Sequence, residues 1–253
     1  MEISPTVGYA VPRIWEKYYS AIQIRMSDAT LFKRLVFSVA LKIGRKRARL
    51  MMNFKPVPFY LKVAYHLAFG AVFRKLRERM GFDRIRIAIS GAAPIAPEIL
   101  QFYQSIGVNL VEAYGQTEGT GVTTTSEIGR VKFGSVGLPL KGVEIKIAED
   151  GEILVKSPGV FMGYFKNPEA TAETIVDGWL HSGDVGTIDE DGFLTITDRK
   201  KDMIVTGGEN VYSTEVENVL YMHPKILEAA VFGVPDERWD NEVLAELSEV
   251  TGY

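Results

Sequence analysis

RIRIAISGAAPIAPEILQFYQSIGVNLVEAYGQTEG, residues Arg84 to Gly119, changes its hydrophobic period twice. RIRIAIS (Arg84 to Ser90) alternates and is rich in isoleucine, which predicts a strand. GAAPIAP breaks it. Pro97 stands where helices accept a proline, in the first turn, and PEILQFYQSIG ends at Gly107 in a C-cap position. VNLVEAY (Val108 to Tyr114) predicts a second strand. Strand, helix and strand within about thirty residues make a βαβ unit with parallel strands. Two glycine-containing loops then leave one end of that sheet, SGAAP (Ser90 to Pro94) and YGQTEG (Tyr114 to Gly119). Ligands of open α/β sheets bind at the carboxyl ends of the strands.

The wider stretch AYGQTEGTGVTTTS (Ala113 to Ser126) sets one carboxylate among three glycines and six Ser/Thr hydroxyls. Composition alone makes it an ordinary loop, because Gly permits positive φ and hydroxyls bond local backbone. Its position after a parallel strand makes it a candidate site.

On the N-terminal side, residues 13–50 read as helix. Ser27 or Asp28 can cap a segment in which Leu31, Leu35, Phe37, Ala40 and Leu41 recur at helical spacing. NFKPVPF (Asn53 to Phe59) is a proline-marked loop, and residues 60–80 are helical again, ending at Met80-Gly81. On the C-terminal side the pattern from Gly134 is all β. GVEIKIAEDGEILVK turns at Asp150-Gly151 and GDVGTIDEDGFLTITDR at Asp191-Gly192, both strong hairpin signals. After Lys200 come DMIVTGG, a helix from Ser213 to His223 and a strand ILEAAVFGV, the start of a separate α/β module. The fold class is therefore mixed α/β and β. Three segments are expected: 1–133, helical and βαβ; 134–198, β-rich; 199–253, the small module.

The 253 residues are 46% hydrophobic and 24% charged, an ordinary globular balance. No apolar run is long enough to span a membrane; VAYHLAFGAVF (Val63 to Phe73) is too short and lies between Lys62 and Arg74. MEISPTVGYA carries no basic-then-apolar signal pattern. With no cysteine there is no disulfide and no thiolate metal site, so a reducing, cytoplasmic location is expected. The net charge of −3 hides an asymmetry: residues 1–86 hold 18 Lys/Arg against 5 Asp/Glu, and residues 87–253 hold 11 against 27. GRKRAR (Gly44 to Arg49) is the densest basic stretch. It reads as a solvated helix face or as a contact for anionic lipid or nucleic acid. His66, His181 and His223 form no pair at metal-ligand spacing. His181 falls at a strand end and reads as structural.

Five short motifs carry a resemblance. SGAAP (Ser90 to Pro94), AYGQTEG (Ala113 to Gly119), GWLHSGD (Gly178 to Asp184), DRKKDMI (Asp198 to Ile204) and GGENVYSTEVE (Gly207 to Glu217) stand in the order found in adenylate-forming, AMP-binding enzymes. The chain resembles bacterial long-chain fatty acid–CoA ligases in particular, and VPRIWEKYYS near its start is similar to that subgroup. The resemblance implies a partial acyl-CoA-synthetase-like N-terminal domain, a βαβ sheet layer plus a β-rich subdomain, followed by the start of a small C-terminal domain.

It also implies the ligands ATP, Mg²⁺, CoA and a fatty acid; no nucleic acid is expected, and the basic half is the candidate for peripheral membrane contact. Two anionic reactants meet in such an enzyme, so catalysis rests on positioning and charge neutralisation. By resemblance, Gly91, Ala92 and Ala93 face the adenine edge, with Tyr114 and Gly115 beside it. Thr117 contacts phosphate, and Glu118 is the Mg²⁺ ligand, a hard oxygen donor for a hard cation. Asp184 takes the ribose hydroxyls and Arg199 the ribose or phosphate. Lys201 falls at the hinge about which the small domain rotates between the two half-reactions, and Gly207 and Gly208 line the pantetheine passage.

The chain departs from the family pattern in three places. The phosphate loop of type TSGTTGxPKG does not occur in it, nor does the late catalytic lysine, and Asn241 follows Asp240 where a glycine is usual after the tryptophan. An internal fragment, inactive by itself, is the expectation that follows. Two other readings stay open: an adenylating enzyme for an aryl or amino acid, and a non-catalytic nucleotide-binding or membrane-surface module.

Overall fold

The computed structural model describes residues 4–127, 129–132, 134–221, 226–236 and 238–249. The chain packs as two units, Met1–Lys141 and Gly142–Tyr253.

The first unit begins with β1 (Val7–Ala10), α1 (Pro12–Ser27), α2 (Leu31–Met52), α3 (Phe59–Ala68), a π turn (Phe69–Phe73) and α4 (Arg74–Met80). The βαβ unit follows as β2 (Ile87–Ser90), α5 (Pro97–Ser105) and β3 (Leu110–Gln116), and then come β4 (Gly121–Thr125) and β5 (Leu138–Pro139). The sheet order is β1-β2-β3-β4-β5. Ile89 pairs with Val111 in parallel, as the sequence predicts. β1 adds a further parallel strand, with Tyr9 opposite Ile89. At four residues, VGYA is too short to show a period of its own.

Three sequence expectations change here. Residues 13–50 are two helices, broken at Asp28–Thr30. Asp28 closes α1, its N–H reaching the Ile24 carbonyl, and Thr30 is the residue before α2, without a side-chain cap bond. The buried face of α2 is Phe37, Ala40, Leu41, Gly44, Ala48 and Met52, while Leu31 and Leu35 are exposed. Gly44 explains the close packing on that face, since a Cβ there would lie 2.5 Å from the Ser105 carbonyl oxygen of α5. Finally, TGVTTT is no loop: β4 returns antiparallel along β3, with a bulge where Tyr114 faces Thr124 and Gly115 faces Val122.

The core of this unit is aromatic. Trp15 meets Tyr103 edge-on at 5.5 Å, and the Tyr103 hydroxyl donates to the Trp15 carbonyl at 2.7 Å. Phe73, Leu100, Phe102, Ile106, Val108 and Leu110 are wholly buried around them. Arg77 ties the turns together, donating to the Phe82 carbonyl at 3.0 Å and the Gly107 carbonyl at 2.9 Å. Gly81 (φ +74°) is the left-handed cap that ends α4.

The second unit holds β6 (Glu144–Ile147), β7 (Glu152–Lys156), α6 (Pro168–Thr174), β8 (Ile175–Val176), β9 (Trp179–Ile188) and β10 (Leu194–Arg199). They form an antiparallel sheet ordered β10-β9-β7-β6, with β8 on β9. Both predicted hairpins are present: Ile147 faces Ile153 and Leu194 faces Ile188. The segment is not all β, because α6 interrupts it. Pro168 opens that helix, and the Asn167 side chain accepts the Ala170 N–H at 3.1 Å.

Next come β11 (Ile204–Thr206), β12 (Glu209–Val211), α7 (Ser213–Tyr221), β13 (Ile226–Asp236) and β14 (Asp240–Glu249). β13 and β14 are a long antiparallel pair, and the Glu217 carboxylate of α7 accepts the Val231 N–H at 2.9 Å. His223, read as the end of the helix, lies outside the described residues.

Candidate active site

The first unit brings SGAAP and YGQTEG together. Both follow parallel strands and so leave the sheet at one edge, and Gly91 lies against β3. A Cβ at Gly91 would come within 3.2 Å of the Ala113 carbonyl oxygen and the Tyr9 hydroxyl. A Cβ at Gly115 would overlap the Gly121 carbonyl oxygen across the hairpin. Packing within the chain therefore already requires glycine at 115 and leaves little room for a side chain at 91. Ala92 differs. It is exposed and has φ +72°, a left-handed conformation that alanine adopts at a cost of about 1 kcal/mol. Ala93 beside it is also exposed.

Tyr114 is half-buried at the end of β3. Thr117 and Glu118 form a 3₁₀ turn, Thr117–Gly119, closed by the Thr120 N–H on the Thr117 carbonyl at 3.0 Å. The Thr117 hydroxyl is exposed and the Glu118 carboxylate half-exposed. No cluster of three or more His, Cys, Asp or Glu among the described residues is placed to hold a metal. A lone carboxylate suits Mg²⁺ all the same, because that ion takes one or two carboxylates with phosphate and water oxygens.

Beneath SGAAP lies a polar row that the motifs do not include. Ser90 ends β2, Glu112 lies on β3 and Ser126 directly follows β4. Ser90 is the register partner of Glu112, and the Ser126 N–H bonds the Glu112 carbonyl. All three are buried, and the Ser90 and Ser126 hydroxyls have no hydrogen-bond partner among the described residues. Burial pushes the Glu112 carboxyl up to about 7, against a hydrogen bond from the Ile95 backbone that lowers it.

The second unit holds the other predicted residues. Asp184 and Arg199 are register partners on β9 and β10, with Arg199 Nε 3.8 Å from Asp184 Oδ1. Lys201 is exposed in the turn after β10. Gly207 (φ +56°) and Gly208 (φ +82°) make the β11–β12 turn, and the Gly207 N–H donates to the Trp239 carbonyl at 2.8 Å. That turn joins two strands, where the sequence suggests a link from strand to helix.

Glu152 is the functional candidate that the motifs miss, and Lys200, inside DRKKDMI, is one to which the resemblance assigns no role. Glu152 meets His181, Lys200 and Gly183, so His181 has the structural place expected of it. One signal was available: in GEILVK, Glu152 is in phase with Leu154, and a carboxylate on an apolar face needs partners.

A mixed sheet with two loops at the carboxyl ends of its parallel strands, followed by an antiparallel sheet and a small α/β module, fits the architecture of adenylate-forming enzymes. The similarity to solved structures agrees. The chain is similar to o-succinylbenzoate CoA synthetase from Bacillus subtilis, in complex with its acyl-adenylate intermediate, with a TM-score of 0.65 and 35% identity over 72% of this chain and 40% of that one.

The model of the AMP-binding enzyme family matches residues 1–165, and that of the AMP-binding enzyme C-terminal domain matches residues 215–247. The chain belongs to the AMP-binding enzyme family. It is 42% identical over 222 residues to a putative fatty-acid–CoA ligase of Mycobacterium tuberculosis, covering 87% of this chain and 39% of the relative. It is 40% identical over 231 residues to a long-chain-fatty-acid–CoA ligase of Mycobacterium bovis, covering 90% and 38%. The chain thus spans about two-fifths of the length of the curated relatives it matches.

Proposed function

We propose that this chain supplies the middle and late part of an AMP-forming acid–CoA ligase whose acid is a long-chain fatty acid. In the first half-reaction a carboxylate oxygen attacks the α-phosphorus of ATP and pyrophosphate leaves. In the second, the CoA sulfur attacks the acyl carbonyl, its proton is lost and AMP leaves. The observation that carries the reading is the strained Ala92 in a loop set against the end of β3, since backbone strain concentrates at ligand loops.

In this reading the 91–93 backbone and Tyr114 hold adenine, the Thr117 hydroxyl donates to phosphate, and Asp184 with Arg199 holds the ribose. Glu118 would hold Mg²⁺, which when bound would neutralise phosphate charge. Lys201 would be the hinge, and Gly207-Gly208 would line the pantetheine passage. The fatty-acid relatives support the choice of acid, and the o-succinylbenzoate enzyme supports an aryl acid as the alternative.

The test is calorimetric binding of AMP and Mg²⁺-ATP to the 253-residue chain, with acid-dependent ATP–pyrophosphate exchange on a panel of fatty and aryl acids. Glu118→Gln is expected to weaken Mg²⁺-dependent ATP binding about tenfold and to leave the melting temperature within about 2 °C, as for a half-exposed turn residue. A large fall in melting temperature with Mg²⁺ dependence intact would make Glu118 structural.

One observation favours an added membrane contact. α2 and α3 expose Leu31, Phe32, Leu35, Phe59, Tyr60 and Leu67, amid Lys33, Arg34, Lys42, Lys46 and Lys62. Apolar and cationic groups together suit an anionic bilayer surface. No helix among the described residues is long and apolar enough to cross a membrane. Binding to phosphatidylglycerol vesicles should fall about tenfold between low and high salt. Equal binding to neutral vesicles would remove the charge contribution.

A further inference from the structure

Glu152 opens β7 with its carboxylate inside the unit, 4% exposed. Its two oxygens serve three donors. Oε1 accepts the Gly183 N–H at 2.9 Å, and Oε2 lies 3.0 Å from both His181 Nδ1 and Lys200 Nζ. Lys200 Nζ also meets Asp150 Oδ2 at 2.7 Å, and the Lys200 N–H donates to the Gly183 carbonyl at 2.8 Å. Gly183 is therefore gripped through its N–H by Glu152 and through its carbonyl by Lys200. It is held at φ +73°, which glycine adopts freely.

Asp184 comes next, its N–H on the Ser182 hydroxyl at 3.1 Å and its carboxylate toward Arg199. One buried carboxylate thus fixes the irregular stretch of β9 that carries Asp184. It also fixes, by side chain and by backbone, the residue immediately before Lys201.

We propose that Glu152 is a positioning residue with two tasks. It aims Asp184 by setting the Ser182–Asp184 stretch of β9, and it anchors Lys200, so that the rigid part of the chain ends at Lys200 and rotation starts at Lys201. The inference rests on reading Asp184 as the ribose contact and Lys201 as the hinge.

The two tasks separate chemically. A Gln at 152 keeps an oxygen for the Gly183 N–H but loses the charge that holds Lys200. Asp150 is half-exposed, so its pair with Lys200 is the weaker support. A buried carboxylate with its partners removed is far more disruptive than an exposed one. In this reading Glu152 and Lys200 are not assigned contact with a reacting atom. Both act through the residue beside them.

Limited trypsin digestion of the 253-residue chain reads the anchor directly, because Arg199, Lys200 and Lys201 are three consecutive cleavage positions. Cleavage follows the population of locally open chain. Glu152→Gln should raise cleavage at these three bonds about tenfold relative to the bonds in α1–α4, and Glu149→Gln, on the same hairpin, should leave it unchanged. Lys200→Met, read at Arg199 and Lys201, should reproduce the rise and serves if the first variant folds poorly. Unchanged cleavage, or an equal rise at every bond, overturns the anchor.

AMP affinity tests the other task. Glu152→Ala should weaken it several-fold while Asp150→Asn, which loosens only Lys200, should not. Equal losses in both overturn the aiming of Asp184. A parent chain that binds no AMP removes the ribose reading together with that half of the proposal. The cleavage pattern then decides the Lys200 anchor alone.

Discussion

Replacing Gly115 by alanine is expected to break the β3–β4 hairpin. The added Cβ would overlap the Gly121 carbonyl oxygen and would stand 2.8 Å from the Thr123 N. Both are backbone atoms of the partner strand, held by the bulge at Tyr114–Gly115, and neither can swing aside as a side chain can. Overpacking a site without slack costs about 1–3 kcal/mol and more where backbone must move. A loss above about 3 kcal/mol is expected here. Gly121→Ala is the internal comparison. Its Cβ would meet nothing within 4 Å, but its φ is +96°, so only conformational strain of about 1–2 kcal/mol applies. Urea unfolding of the two variants should rank Gly115→Ala as much the more damaging. Equal midpoints would mean that the hairpin relaxes around Cβ115. Gly115 would then be free of any packing requirement.

Much of the fold is legible in the sequence because several signals agree locally. The βαβ unit has alternating isoleucines, Pro97 in the first helical turn and Gly107 after the last. The hairpins at Asp150-Gly151 and Asp191-Gly192 join turn chemistry to a period of two. What escapes is set by distant contacts. β1 is four residues whose strand character comes from lying beside β2. Leu31 and Leu35 fit a helical period but are exposed, because the inward face of α2 is chosen by its crossing with α5 at Gly44. The motifs name residues that the family resemblance assigns to a ligand. They pass over Glu112 and Glu152, whose partners lie far off in the sequence: Ile95 for Glu112, and Gly183, His181 and Lys200 for Glu152. Only their phase with the neighbouring leucines marks them, and that marks a carboxylate as buried without saying what it meets.

Glu112→Gln is expected to stabilise the chain at alkaline pH and to have little effect in acid. Burial raises the Glu112 carboxyl from 4.5 to about 7. Below about pH 4.5 the group is protonated in both the folded and the unfolded chain, and it adds no pH dependence. Between about 4.5 and 7 the folded chain keeps the proton that the unfolded chain has released. The folded chain binds more protons there, so stability falls as pH rises through this window and levels off above it. The full penalty is about 3 kcal/mol, taking about 1.4 kcal/mol for each tenfold change in proton affinity. Glutamine has nearly the same shape and carries no charge at any pH. Its oxygen can still accept the Ile95 N–H. The gain over the parent should therefore grow from near zero at pH 4.5 to as much as about 3 kcal/mol at pH 8, read by urea unfolding across that range. A gain that stays flat with pH would show that the parent carboxyl titrates as an exposed one does. A loss at every pH would show that the row beneath SGAAP needs a carboxylate, placing a charge and not a proton under the loop.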